Sequence, residues 1–226
     1  MSDLHVVLAV ARKDLLHELR SRAATVATLF FSAVTLVMMA FALGREQHVL
    51  TLAAPGVLWV ALTFAGVIAA AQNFQADLEE GAFEQLLLYP VPRAAIFLGK
   101  LLANWTYLTA LGLLLTPVAI VLYSVQAGAG AWYVIPAALV LGTFGLATIA
   151  TFYAGLTANL QAREALLPVL MFPIIVPVLL GAVRATEAVL GRSELDLAGG
   201  WLQMLAGFDL VYFVVCTALF HFVVDE

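Results

Sequence analysis

Long apolar stretches separated by short polar ones dominate this chain of 226 residues. A helix needs about 20 apolar residues to cross the roughly 30 Å of hydrocarbon in a bilayer, because each residue adds about 1.5 Å. Apolar runs of that length, interrupted only by Lys100 and Asp209, predict six membrane-spanning helices. They cover residues 23–43, 52–72, 97–124, 133–158, 165–183 and 201–224, and a glycine-rich turn at 126–130 separates the third from the fourth.

The segment before the first span, residues 1–22, follows a different pattern. Apolar residues recur there at helical spacing, and charged residues lie between them. This arrangement predicts an amphipathic helix that lies in the membrane interface, in contact with lipid. The apolar positions are Leu4, Val7, Leu8, Ala11, Leu15 and Leu19, and the charged ones are Arg12, Lys13, Asp14, Glu18, Arg20 and Arg22.

An acidic segment, residues 77–89, lies between the second and third predicted spans. Its apolar residues share one side of a helix and its carboxylates the other, which predicts a short surface helix that offers one face to a soluble partner. Pro90 and Pro92 end this helix, because proline lacks the backbone donor. The apolar side holds Leu78, Ala82, Phe83, Leu86 and Leu87, and the acidic side holds Asp77, Glu80 and Glu84.

Composition predicts an integral membrane protein of the all-α class. Hydrophobic residues make up 64% of the chain and charged residues only 11%, whereas soluble domains average about 25% charged residues. The net charge of -5 at pH 7 and the lack of a basic stripe argue against a nucleic-acid partner. We expect one transmembrane domain over residues 1–226, without a large soluble insertion.

The distribution of Lys and Arg predicts that both termini are cytoplasmic, since basic residues collect on that side of a membrane. The acidic segment then also faces the cytoplasm. The charged stretch after the fifth span predicts a surface helix over residues 184–199 on the outer side. The inner basic residues are Arg12, Lys13, Arg20, Arg22, Arg93, Lys100 and Arg163, and the outer ones are Arg45, Arg184 and Arg192.

Two features within the spans are candidates for a gate or a substrate path. The fifth span carries Pro168, Pro173 and Pro177, which free backbone carbonyl groups, so this span should be enclosed in the bundle or line a cavity. A static kinked helix is the alternative. Asp209 lies inside the sixth apolar run, a turn or two below the outer surface, and either a structural role or a substrate or proton role would explain it.

Other residue types exclude several kinds of chemistry. The 4 histidines are scattered, and no nucleotide-binding or nucleophile motif occurs, so we expect no catalytic residue, no metal site and no ATP hydrolysis by this chain alone. Small residues predict close helix packing, either within one chain or between two copies. They are Ala61, Ala65, Gly66, Ala69 and Ala70 on the second span and Gly142, Gly145, Ala150 and Ala154 on the fourth.

The order of these elements resembles the membrane subunit of ABC transporters of the ABC-2 type, the type II exporters. In that family the helix between the second and third spans is the coupling helix, which docks on a separate ATP-binding subunit. Residues 80–92, EGAFEQLLLYPVP, resemble the family's run of Gly, Glu, paired leucines and Pro. The resemblance implies a set of ATPase-binding residues: Asp77, Leu78, Glu80, Gly81, Phe83, Glu84, Leu86, Leu87 and Pro90.

A closer resemblance is to the CcmB family, the haem exporter B permeases of c-type cytochrome maturation in the bacterial inner membrane. It implies a dimer of the permease with the ATP-binding subunit CcmA, working with CcmC, CcmD and the haem chaperone CcmE. ATP hydrolysis in CcmA would drive haem export or release of the haem-loaded chaperone, and this chain would bind no cofactor firmly. The matching residues are 54–60 (APGVLWV), Phe74, Asp77, Gly81, 84–86, Pro90, Pro92, Lys100 and Trp105.

Two further functions stay open on the sequence. One is an ABC-2-type permease that exports another lipid, a glycan or a drug, and the other is an assembly scaffold that transports nothing. A secondary transporter is disfavoured, because the spans show no paired acidic and basic residues for ion coupling.

Overall fold

Seven α-helices form the part of the chain that the computed structural model describes, and that part contains no strand. The described residues are 3–20, 22–44, 46–79, 81, 86, 91–125, 133–158, 163–190 and 195–224. The helices are α1 (Asp3–Arg20), α2 (Arg22–Ala42), α3 (Gln47–Glu79), α4 (Arg93–Leu122), α5 (Val134–Thr157), α6 (Arg163–Leu190) and α7 (Leu195–Val224).

Six of the described helices, α2 to α7, are long and apolar enough to cross a membrane. Each corresponds to one of the six predicted spans, which confirms an all-α, multi-pass membrane protein. The remaining helix, α1, is the predicted N-terminal amphipathic helix. Its position in the membrane interface stays a prediction.

Two predicted boundaries are wrong because the helices continue beyond the charge-free runs. The surface helix predicted over residues 184–199 is absent as a separate element: residues 184–190 extend α6, and residues 195–199 begin α7. The extension of α6 is amphipathic, since Ala185 and Val189 are buried. On its exposed side Arg184 lies 2.9 Å from Glu187, a spacing that stabilises a helix.

The first two residues of the helix predicted for the acidic segment, Asp77 and Leu78, belong instead to the last turn of α3. Gly81 then has a φ of 65°, a left-handed conformation that ends helices and favours glycine. Its N–H donates to the carbonyl of Leu78 at 3.1 Å. Residues 80, 82–85 and 87–90 lie outside the described residues.

The centre of the bundle is α3, which packs against α2, α4, α5 and α6. Trp59 of α3 is fully buried, and its Nε1 donates to Thr186 Oγ1 of α6 at 3.0 Å. The edge of its ring rests on Gly142 of α5, where a Cβ would collide with it. The small residues of the second and fourth spans therefore serve close packing within one chain.

Polar side chains join α4 to α5 along most of their length. Asn104 donates to Thr151 at 3.2 Å, and the Trp105 indole donates to the Val140 carbonyl at 3.0 Å. Such bonds hold helices together in lipid, where water does not compete for the donors and acceptors. On the other side of α5, α7 contributes the buried residues Leu205, Cys216 and Phe220.

The helix α1 and the last turns of α7 lie at one end of the bundle, which we call the α1 end. Val10 of α1 packs against Gly99 of α4, where even a Cβ would have no room. The rings of Phe97 in α4 and Phe220 in α7 lie 5.0 Å apart between centroids. The α1 end thus brings together α1, the start of α4 and the last turns of α7.

Candidate functional site

Four charged side chains from three helices meet at the α1 end and form what we call the charge cluster: Lys13, Asp14, Asp77 and Lys100. Lys100 Nζ lies 2.6 Å from Asp77 Oδ2 and 3.4 Å from Asp14 Oδ2. Lys13 Nζ lies 2.5 Å from Asp77 Oδ1 and 3.0 Å from Asp14 Oδ1. Each carboxylate therefore contacts both ammonium groups, and the charges of the four side chains sum to zero.

Three members of the charge cluster, Asp14, Asp77 and Lys100, are buried, and Lys100 is its centre. The Lys100 side chain is only 1% exposed. Its ammonium group also donates to Asn73 Oδ1 at 2.5 Å and lies 4.6 Å from the centroid of the Phe74 ring. A charge in such a place is tolerated only when it is paired and hydrogen-bonded. The charge cluster therefore ties α1 to α3 and α4.

Lys13 is the outermost member of the charge cluster, with 41% of its side chain exposed. Partial burial alone would lower its pKa. The neighbouring carboxylates of Asp14 and Asp77 outweigh that effect and hold the pKa of Lys13 above its usual 10.5. Lys13 therefore stays cationic throughout the physiological range.

The position of Asp77 differs from the one expected from the sequence. We expected its carboxylate on the outer side of a surface helix, facing a partner, but its side chain is 7% exposed and bonded to both lysines. The Lys100 side chain also points into the protein. This end of the bundle therefore pairs acidic with basic residues, at a position beyond the predicted span 52–72.

A small polar cavity lies next to the charge cluster, between α1, α3 and α4. Its volume is about 10 Å³, which is the room that one water molecule needs. Glu18 Oε1 and Asn104 Oδ1 are buried without a hydrogen-bond partner in the described chain. Burial raises the pKa of Glu18 above its usual 4.5, although His17 and Thr25 oppose the shift.

The two described side chains of the acidic segment's apolar side turn towards the protein. Leu86 packs against Val6 and Val10 of α1 and Ala95 of α4. Leu78 lines a second, apolar cavity of about 30 Å³ between α3, α5 and α6. The segment is thus attached to the helices that carry the charge cluster. Glu80, Phe83, Glu84, Leu87 and Pro90 lie outside the described residues.

The prolines of α6 are only partly enclosed. Pro168 and Pro177 are half-buried, but Pro173 is exposed, as are Val169 and Val176. Within a single chain this helix is therefore only partly enclosed, and the expectation that it is enclosed in the bundle or lines a cavity stays a prediction.

One carbonyl near these prolines finds a partner on another helix. The hydroxyl of Tyr212 in α7 donates to the carbonyl of Ile174 at 3.0 Å, one turn before Pro177. A neighbouring helix therefore supplies one hydrogen-bond donor to the proline-containing helix.

Asp209 lies deeper in the bundle than expected. Because α7 begins at Leu195, Asp209 is fourteen residues, about 21 Å, from its start. The residue is 3% exposed. Its carboxyl group rests on Gly145 of α5, beside Val178 of α6. Asp209 and the Pro177 region therefore share the contact between α5, α6 and α7, while the other two α6 prolines lie on earlier turns.

Sequence comparisons agree with this arrangement along nearly the whole chain. The model of the family described as CcmB protein matches residues 5–224. A Heme exporter protein B from Haemophilus influenzae is 30% identical over 219 residues, which cover 95% of this chain and 97% of the relative. Those from Pseudomonas aeruginosa and Rhodobacter capsulatus are each 32% identical, over 80% and 88% of this chain and 81% and 89% of the relatives. The chain therefore belongs to the CcmB family.

Proposed function

We propose that this chain is the membrane permease subunit of a haem exporter complex in c-type cytochrome biogenesis, and that a separate ATP-binding subunit hydrolyses the ATP. Membership of the CcmB family and relatives named Heme exporter protein B support the assignment. One observation carries the mechanism: Leu86 of the acidic segment packs on α1 and α4 beside the charge cluster. The segment on which a partner would dock is thus fastened to three helices.

The length of α3 supports a docking platform outside the hydrocarbon. Its 33 residues extend about 50 Å, whereas the hydrocarbon is about 30 Å thick. An upright α3 therefore projects by about 20 Å, which suffices to carry Asp77 and Gly81 to the membrane surface. We place the protein in the inner membrane, with the α1 end and both termini on the cytoplasmic side.

The acidic segment acts in this proposal as the coupling helix that binds the ATP-binding subunit, CcmA. Leu78 and Leu86 attach it to the bundle, which leaves Phe83 and Leu87 as apolar contacts for the partner. The other partner-facing residues are Glu80, which precedes the turn at Gly81, and Glu84 and Pro90, which follow it. Exposed ion pairs contribute only about 0–1 kcal/mol each, so the apolar contacts should dominate the affinity.

The charge cluster provides the path by which movement of the acidic segment reaches the membrane. When ATP binding draws the ATP-binding subunits together, the segment moves with them. Because Asp77 in α3 and Lys100 in α4 are bonded to each other and to α1, these three helices should move as one unit. Neighbouring α5 to α7 would then change their packing.

The interior of one chain has little space for haem among the described residues. The apolar cavity holds about two water molecules and the polar cavity about one. We therefore propose that haem or the haem-loaded chaperone is handled at an outer surface shared with a second copy of the chain or with CcmC, CcmD and CcmE. The stretch of α6 that holds Pro168, Pro173 and Pro177 is the proposed gate, and Asp209 packs beside its last proline.

Co-purification with the ATP-binding subunit tests the docking model. Phe83→Asp should abolish co-purification because it puts a charge into an apolar contact, whereas Glu80→Ala should weaken it only slightly. Arg184→Ala, at the opposite end of α6, is the matched control and should leave co-purification unchanged. A stronger effect of Glu80→Ala than of Phe83→Asp would refute the contact model.

Assays of the whole complex distinguish transport from scaffolding. The complex with CcmA, CcmC, CcmD and CcmE should hydrolyse ATP faster when haem or the haem-loaded chaperone is added. Movement of haem across sealed vesicles would favour export, and release of the loaded chaperone without movement would favour the chaperone step. Stimulation by neither would contradict the proposal. Full activity after Pro173→Ala with Pro177→Ala would exclude the gate.

A further inference from the structure

The carboxyl group of Asp209 is buried in the middle of α7 and has no hydrogen-bond partner on either oxygen among the described residues. The helix has 30 residues, and Asp209 lies close to its centre. If α7 crosses the membrane, this group is near the middle of the bilayer. Ionisable groups at that depth are expensive to place and are typically functional.

The neighbouring helix leaves room for this carboxyl group. Gly145 of α5 faces it, and a Cβ there would meet both Asp209 Oδ1 and Val178 of α6. Glycine therefore allows the carboxyl group to lie flat against the α5 backbone, enclosed between three helices. No space for a counter-ion remains on that side.

Among the side chains that the structure describes, the helices packed against α7, which are α4, α5 and α6, bring no charge to Asp209. On α5, residues 134–157 include no charged residue, and its titratable Tyr153 lies eight residues, about 12 Å, beyond Gly145. On α6, Arg184 is bonded to Glu187 near the end of the helix.

The charged groups of α4 lie far from Asp209, and the Tyr212 hydroxyl of α7 is bonded elsewhere. Arg93 and Lys100 belong to the α1 end, where Phe97 meets Phe220, eleven residues or about 16 Å from Asp209 along α7. On α7 itself the hydroxyl of Tyr212 donates to Ile174. An ionised Asp209 would therefore be a buried charge without a compensating group among the described residues.

We propose that Asp209 is a proton-binding site whose occupancy controls the packing of α7 against α5 and α6. With the proton bound, the neutral carboxyl group fits against Gly145. When the O–H bond breaks, its electron pair stays on the carboxylate and the proton passes to water, which the anion then needs as a solvating partner. Loss of the proton thus favours separation of these helices. The site goes beyond the proposed function and does not depend on it.

Thermal unfolding against pH tests this site in the purified full chain in detergent. If the folded state binds one more proton than the unfolded state, the unfolding equilibrium constant rises up to tenfold per pH unit. The wild-type chain should therefore lose stability relative to Asp209→Asn between about pH 5 and 8. Glu187→Gln, which removes an accessible carboxylate of α6, is the matched control and should follow the wild type. Equal pH dependence of wild type and Asp209→Asn would overturn the proposal.

Infrared spectroscopy gives a second test that needs no substitution at Asp209. In protein labelled with carbon-13 in the aspartate carboxyl groups, a carboxylic acid C=O band should be present at pH 7. Asp14 and Asp77 should not contribute, because each contacts two ammonium groups. Absence of any labelled carboxylic acid band at pH 7 would refute the proposal, even if Asp209→Asn failed to fold.

A double-mutant cycle tests the geometry. Gly145→Ala should destabilise the chain because its Cβ meets the carboxyl group and Val178. Combining it with Asp209→Ala should recover part of the loss, since the smaller side chain vacates the contact. Strictly additive effects would show that the carboxyl group does not rest on Gly145 and would overturn the proposed site.

Discussion

Removal of the Lys100 ammonium group should destabilise the protein strongly, and removal of its charge partner should reverse most of the loss. In Lys100→Met the side chain keeps its approximate length, but Asp14 and Asp77 are left with Lys13 alone. Taking one member from a buried pair costs about 3–5 kcal/mol, because the remaining charge is uncompensated. The Asn73 oxygen also loses its donor.

The expected size of the effect follows from the charge balance of the cluster. Asp77→Asn alone should cost a similar 3–5 kcal/mol, since two ammonium groups then face one carboxylate. In the double variant that combines Lys100→Met with Asp77→Asn, Lys13 and Asp14 remain as a balanced pair at 3.0 Å. Its cost should fall to about 1–3 kcal/mol, mainly the unpaired Asn73 oxygen.

Thermal unfolding followed by tryptophan fluorescence measures these differences, since Trp59 is fully buried in the core. At about 2–4 °C per kcal/mol for a chain of this size, each single variant should melt on the order of 10 °C lower. Arg184→Met breaks an exposed ion pair and, as the control, should cost less than about 1 kcal/mol. A double variant that loses the sum of both single losses would refute the balance argument.

Three further expectations concern neighbouring positions. Burial raises the pKa of Glu18, so the stability that this residue contributes below pH 4.5 is lost as pH rises. Glu18→Gln should therefore melt at a higher temperature than the wild type at pH 8. Equal melting temperatures would contradict this. Because the pKa of Lys13 is raised, the stability that this residue contributes stays intact below pH 10.5. The difference in melting temperature between the wild type and Lys13→Met should therefore stay constant from pH 6 to 10 and shrink only above that. A decline at lower pH would count against the pairing. Gly142→Ala should cost about 1–3 kcal/mol by overpacking against Trp59, and less in a Trp59→Phe background; an unchanged melting temperature would argue against the close contact.

The number and order of the spans could be predicted because hydrocarbon thickness sets the length of a charge-free run. The ends of the helices could not, because backbone hydrogen bonding continues past the membrane wherever packing allows it. Asp77 therefore belongs to α3 although it follows the apolar run, and Leu190 belongs to α6 for the same reason. Predictions based on charge alone shorten such helices.

The charge cluster illustrates what a single sequence does not reveal. Lys100 was visible as a lone charge beside a long apolar run, and Asp77 as a carboxylate at the start of an acidic segment. Their pairing with Lys13 and Asp14 depends on how α1 lies across α3 and α4, which no local pattern encodes. By contrast, Gly142 and Gly145 correctly predicted close helix contacts, although the side chains that fill those contacts were unknown.

The burial of Cys216 has a practical consequence for mapping the topology of this protein. The sequence contains a single cysteine, and only 6% of this residue is accessible. Thiol reagents should leave it unmodified while the protein remains folded. A cysteine introduced on an exposed loop would then be labelled against a silent background, so membrane-impermeant maleimides can report its sidedness without removal of the native thiol.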